Sequence, residues 1–149
     1  MPFMGYDPAT NPMNTTEWAF PMAEIFHILG FALLIGTIMM VDLRLLGLGM
    51  KRETSASLVH STSPWTLIGL AVVLISGPLI FSSDPGLYVY NPVFRIKITM
   101  LMVAILYNWT LHRRVAMKPD PGTFGAVVGA VSILIWGSLI FDGIFIAFY

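Results

Sequence analysis

The sequence predicts an all-α integral membrane protein, a four-helix transmembrane bundle, and three observations lead there. Hydrophobic residues make up 56% of the 149 and charged residues only 11%, against roughly 25% charged in ordinary soluble domains. Four long apolar stretches recur along the chain, at about 17–48, 64–81, 92–114 and 123–149, each close to the ~20 residues that cross a hydrocarbon layer. A chain of 149 residues can bury runs of that length only in lipid, so water is the wrong reference solvent.

Each element has its own signals. Residues 1–16 hold three prolines, two asparagines and a glycine and lack a basic start followed by an apolar run. They predict an extended N-terminal segment on the outward membrane surface rather than a cleavable signal peptide. Thr15 or Thr16 is a candidate cap for helix one, with Trp18 as an interfacial anchor. KRETSASLVHSTS, at 51–63, is too polar to span, and Ser63-Pro64 reads as the N-cap and first position of helix two. Asp84-Pro85-Gly86 marks a short turn with tyrosines suited to an interface, and helix three starts near Pro92. Lys118-Pro-Asp-Pro-Gly is a second turn before helix four.

Four spans put both termini on one side. Arg44, Lys51, Arg52, Arg113, Arg114 and Lys118, six of the eight basic residues, flank the first and third connections. The positive-inside rule then directs both termini outward, in an inner (cytoplasmic) membrane to the periplasm. A net charge of zero and the absence of cysteine give no reason to expect nucleic acid, disulfides or thiolate metal sites.

The two halves resemble each other. ISGPLIF at 75–81 and IWGSLIF at 135–141 share five of seven positions. Setting 24–44 over 94–114 pairs His27 with Lys97, Asp42 with His112 and Arg44 with Arg114. This pattern predicts two parallel-repeated helical hairpins.

Ionisable groups within spans are costly and seek partners, and here they fall into two layers. Glu24, His27, Arg95, Lys97 and Asp142 lie toward the outer end, and Asp42, Arg44, His60, His112, Arg113 and Arg114 toward the inner one. The outer layer supports two readings. One is an ion-pair cluster that fixes helix register. The other is a cofactor site near the outward face, binding haem b or a quinone headgroup. Arg95 and Lys97 would hold polar ligand groups, Glu24 would carry a proton, and His27 would ligate haem iron or donate to a carbonyl. Met100 stands near the level of His27 as a possible second axial ligand, and His60 and His112 complete the three histidines. A lone E-x-x-H gives no reason to expect a carboxylate-bridged or structural metal.

VDLRLLGLG at 41–49, SPWTLIGLAVVLISGPLIF at 63–81, NPVFRIKI at 91–98 and NWTLH at 108–112 together resemble a family of small bacterial four-helix membrane proteins without an established function. A looser similarity to four-helix cytochrome b-like membrane proteins implies electron transport. The chain thus reads as a membrane-anchored electron-transfer subunit, not an enzyme on its own, serving a membrane or periplasmic redox partner. The alternative is a non-catalytic accessory subunit of a larger membrane complex.

Overall fold

The computed structural model describes residues 5–148. Four helices are long and apolar enough to cross a membrane: α1 (Ala19–Leu45), α2 (Ser55–Ser83), α3 (Pro92–Ala116) and α4 (Gly122–Phe145). No strand occurs among the described residues, and the expected all-α bundle is what forms. α1 packs most extensively against α2, and α4 lies against both α1 and α3. The turns at 8–15, the last turns of α4 and the 84–91 connection share one end, called here the terminal end. The connections at 46–54 and 117–121 share the other, the basic end.

Helix two starts nine residues earlier than its proline suggests. Thr54 caps it by accepting from the Ser57 amide at 3.1 Å, so the polar SASLVH stretch is its first turns and Pro64 sits inside it. An interior proline removes one ladder bond. One turn earlier, Thr62 and Ser63 donate their hydroxyls to the Leu58 and Val59 carbonyls at 2.7 and 2.6 Å, whereas the carbonyl that loses its ladder partner is that of His60.

The N-terminal segment, expected to be extended, forms two short capped turns, Pro8–Thr10 and Pro12–Thr15. Asp7 and Asn11 accept from amides two residues on at 3.0 and 2.7 Å, the usual way such side chains make turns. Asn11 and Asn14 also donate to the Ser82 and Ser83 carbonyls, both at 2.7 Å, tying the segment over the end of α2. α1 begins at Ala19 without a side-chain cap, so neither Thr15 nor Thr16 has that role. It ends where Gly47 takes φ +74 and Leu48 donates to Leu43 at 2.9 Å, a left-handed stop suited to glycine.

Without a hydrophobic drive between helices in lipid, close backbone approach decides the packing. α1 and α2 cross at Gly30 and Gly69. A Cβ at Gly69 would lie 2.7 Å from the Leu34 amide nitrogen and 2.8 Å from the Gly30 carbonyl. The central core joins Leu34, Ile35 and Ile38 to Ala104, Trp136 and Leu139. Leu34 and Ala104, paired by the sequence repeat, are both fully buried there.

Gly69→Ala should therefore lower stability by about 1–3 kcal/mol, read as a reduced melting temperature in detergent. Gly36→Ala, with nothing within 4 Å of the added carbon, should stay within about 0.5 kcal/mol of the parent.

Candidate functional site

The inward face of α1 runs Leu34, Ile38, Val41, Asp42 and Leu45, so helical spacing carries Asp42 into the interior on the same face as the core. Two groups meet it. His112 Nε2 lies 2.6 Å from Asp42 Oδ1, and the Ser132 hydroxyl donates to Oδ2 at 2.9 Å. Asp42, His112 and Ser132 are 1%, 3% and 0% exposed. Each carboxylate oxygen thus has a donor, as a buried carboxylate requires. Ser132 reaches it because α4 approaches closely at Gly129, where a Cβ would stand 3.1 Å from the Asp42 carbonyl. Asp42–His112 is the one contact between an acidic and a basic side chain within ion-pair distance among the described residues.

His112 closes a π-helical segment, Asn108–His112, in which the Arg113 amide donates back to the Asn108 carbonyl. Such widened turns change which side chains share a helix face and recur at functional sites. Here both Asn108 and His112 turn inward, 8% and 3% exposed, and both line a cleft between α2 and α3. α1 forms its floor at Thr37, α2 supplies Thr62 and Thr66, and Arg113 stands on the α3 side. The space enclosed in the cleft is about 30 Å³, water-sized, against roughly 300–1,000 Å³ for small-molecule sites. Most of its polar lining is already engaged: Thr66 and Thr37 hydroxyls bond each other at 2.9 Å, and Arg113 donates to Ser63 at 3.1 Å. Two groups are not. The Asn108 amide and His112 Nδ1 have no protein partner among the described residues, yet neither is sealed from the cleft.

A histidine held at Nε2 by a carboxylate, with Nδ1 facing a cavity, has its orientation and tautomer fixed by that carboxylate. As an imidazolium it donates from both nitrogens. On giving up the Nδ1 proton it keeps Nε2–H on Asp42. This arrangement can deliver a proton to a ligand inside the bundle.

The terminal end is organised differently from its expected cluster. His27 is half-buried, with Nδ1 2.8 Å from the Ser76 hydroxyl and its ring 6.2 Å from that of Phe31. Lys97 Nζ lies 5.8 Å from the centre of the same Phe31 ring. Asp142 is near enough to Lys97 to act on it electrostatically, but they form no ion pair, and Asp142 Oδ2 is buried without a partner. Glu24 and Arg95 are exposed, so the ion-pair cluster does not form: both side chains fall on the outer faces of their helices. Met100 packs against the central core beside Phe31.

The three histidines do not converge. His27 and Asp42, the partner of His112, are fifteen residues apart on α1, about 22 Å of helical rise. His60 is exposed on α2. No group of three or more metal-ligating side chains assembles among the described residues. Of the residues singled out from sequence, the structure brings His27 and Lys97 to the ring of Phe31 at one end and His112 to Asp42 at the other. Ser132 lies in no quoted motif, and Ser76 and Asn108 lie in ISGPLIF and NWTLH without a chemical role attached to them. Their only sequence signal is a hydrogen-bonding residue inside an apolar run, which is too common among membrane helices to select them.

Residues 5–149 match a family model described as a family of unknown function (DUF6644). No curated protein and no solved structure matches the chain.

Removing one member of the buried pair strands the other. Asp42→Leu or His112→Leu alone should cost about 3–5 kcal/mol, and the double substitution should cost less than the sum. A double-mutant cycle on melting midpoints measures the difference, and additive costs would contradict the pairing.

Proposed function

For a chain that belongs to DUF6644, a family of unknown function, we propose a membrane electron-transfer subunit that holds a quinone and exchanges its protons through His112. The observation that carries this reading is the Ser132–Asp42–His112 chain of hydrogen bonds, beside a cleft at the basic end of the bundle that His112 lines. Reduction of a quinone takes up two electrons and two protons. The electrons come from a redox partner, a membrane or periplasmic subunit; His112 gives its Nδ1 proton to one reduced oxygen while its Nε2–H stays hydrogen-bonded to Asp42, and water at the open cleft supplies the second proton. Ionisable groups within spans are expensive and are retained for such work.

Haem b is the weaker ligand choice. His27 has one ring nitrogen on Ser76 and no second histidine at its level, and His112 has its Nε2 on Asp42. The quinone reading also moves the site away from the outward face, where Glu24, His27, Arg95 and Lys97 first suggested it. The positive-inside distribution supports an inner-membrane protein with both termini outward, so the quinone would be used toward the cytoplasmic side.

An accessory, non-catalytic subunit is the second reading. It draws on α3, where Ile96, Met102, Val103 and Leu106 form an exposed apolar face that a neighbouring subunit could cover as well as lipid does.

The protein purified with native lipid should carry extractable quinone, and His112→Leu should lose it while remaining folded. A folded, quinone-free parent protein whose membranes show unchanged quinol-dependent electron transfer on its deletion would favour the accessory reading. A Soret band lost in His27→Ala would instead favour haem. Because the chain has no cysteine, single introduced cysteines report topology directly. Leu87→Cys should label from the outside with an impermeant maleimide and Lys51→Cys only after permeabilisation.

A further inference from the structure

The cleft between α2 and α3 encloses about 30 Å³, room for about one water and too little for a ring. A quinone therefore stays at the lipid-facing mouth, where Leu67 is 52% exposed. The polar lining is matched to water. A hydroxyl carries one donor and two acceptor lone pairs, and in this cleft the hydroxyl hydrogens are already committed to the protein. Thr62 donates to the Leu58 carbonyl at 2.7 Å and Ser63 to that of Val59 at 2.6 Å. Thr66 donates to the Thr62 carbonyl or to Thr37 Oγ1, at 3.0 and 2.9 Å. Thr37 in turn donates to the Leu33 or Leu34 carbonyl, at 2.9 Å each. What Thr62 and Thr66 still present is oxygen, as acceptors. The α3 wall presents His112, whose Nε2 is taken by Asp42 and whose Nδ1 has no protein partner among the described residues and is not sealed from solvent.

We propose that the cleft is a water site through which His112 exchanges protons with the aqueous phase at the basic end. A water there donates to Thr62 and Thr66 and accepts from the Nδ1–H of the imidazolium, within the two to four polar partners that a buried water needs. Once that proton has left, the water turns one hydrogen to the Nδ1 lone pair. A hydronium arriving from the aqueous side gives its proton to the same lone pair. That leaves a neutral water in the cleft and an imidazolium charge opposite Asp42. The surroundings make this access one-sided. His112 is four residues from the end of α3 at Ala116, about 6 Å of helical rise. On α2, Ser57, His60 and Ser61 are exposed and lead from the basic end to Ser63, where Arg113 bonds across the seam at 3.1 Å. In the other direction, residues 67–75 hold no polar side chain. The polar first turns of α2 thus bring water as far as His112 and no deeper.

The inlet rests on the reading of His112 as a proton donor, but not on the quinone. The test is water-edited solid-state NMR on the full chain in liposomes with ¹⁵N-histidine, following magnetisation that passes from water to the imidazole nitrogens. In the parent, His112 should receive it as readily as the exposed His60. The double substitution Thr62→Val with Thr66→Val keeps side-chain shape and removes both acceptors. It should lose most of the transfer to His112 while Nε2 keeps the signature of its bond to Asp42. Thr62→Ser with Thr66→Ser should retain the transfer, and Thr99→Val, the same change outside the cleft, should behave as the parent. Melting temperatures check that each variant is folded. No transfer to His112 in the parent, a measurement that needs no variant, would overturn the inlet. Undiminished transfer in the valine pair would overturn it as well. Either result leaves the quinone reading to its own test by extraction. Hydroxyl-dependent transfer in a protein that carries no quinone would uphold the inlet and count against the redox reading.

Discussion

The contact between Asp42 and His112 fixes the bundle. In lipid, apolar side chains gain little by moving from tails to a neighbouring helix, so close packing and polar contacts determine which faces meet. Asp42 is 1% exposed and takes one hydrogen bond from α3 and one from α4. Those bonds join α1 to both helices of the second half. Gly129 lets α4 come near enough for Ser132 to reach, and the π-helical turn in α3 directs His112 inward. The Gly30–Gly69 crossing then adds α2 to α1 by backbone approach alone. Two kinds of constraint, one polar and one steric, hold the arrangement.

The same contact gives the bundle its chemistry. A carboxylate buried to satisfy a histidine also orients it, and the ring's free nitrogen is left to face the cleft. The α2–α3 seam has polar lining that is mostly self-satisfied, with two groups that are not. The terminal end has a polar layer too, but His27, Lys97 and Asp142 are distributed around Phe31 without a direct ion pair. Its exposed acid and base, Glu24 and Arg95, face outward. At the basic end, the cleft lined by Asn108 and His112 lies beside the Asp42–His112 hydrogen bond.

Much of this was legible in the chain. Length, apolar runs and turn residues predicted four spans, and Asn91-Pro92 marked the start of α3 correctly because asparagine capping and proline at the first position act locally. The repeat alignment set Asp42 over His112, and repeat-equivalent positions on two helices related by an axis can face each other across it. Pro64 misled because a proline suits the first position of a helix and is also tolerated inside a membrane helix. The outer cluster misled because depth along a helix is readable from residue number, whereas rotation about its axis is not when the whole surface is apolar. For the same reason Ser132 was invisible, and NWTLH did not show that Asn108 turns inward. Nothing in an all-apolar face says which of its few polar residues turns inward.

The most direct test uses the scarcity of histidine. With ¹⁵N-histidine labelling only three side chains report, His27, His60 and His112. On adding a short-tailed 1,4-benzoquinone, the Nδ1 resonance of His112 should shift while its Nε2 resonance keeps the signature of a hydrogen bond to Asp42, and His27 and His60 should stay in place. A shift confined to His27, or no shift at any histidine, would contradict the account.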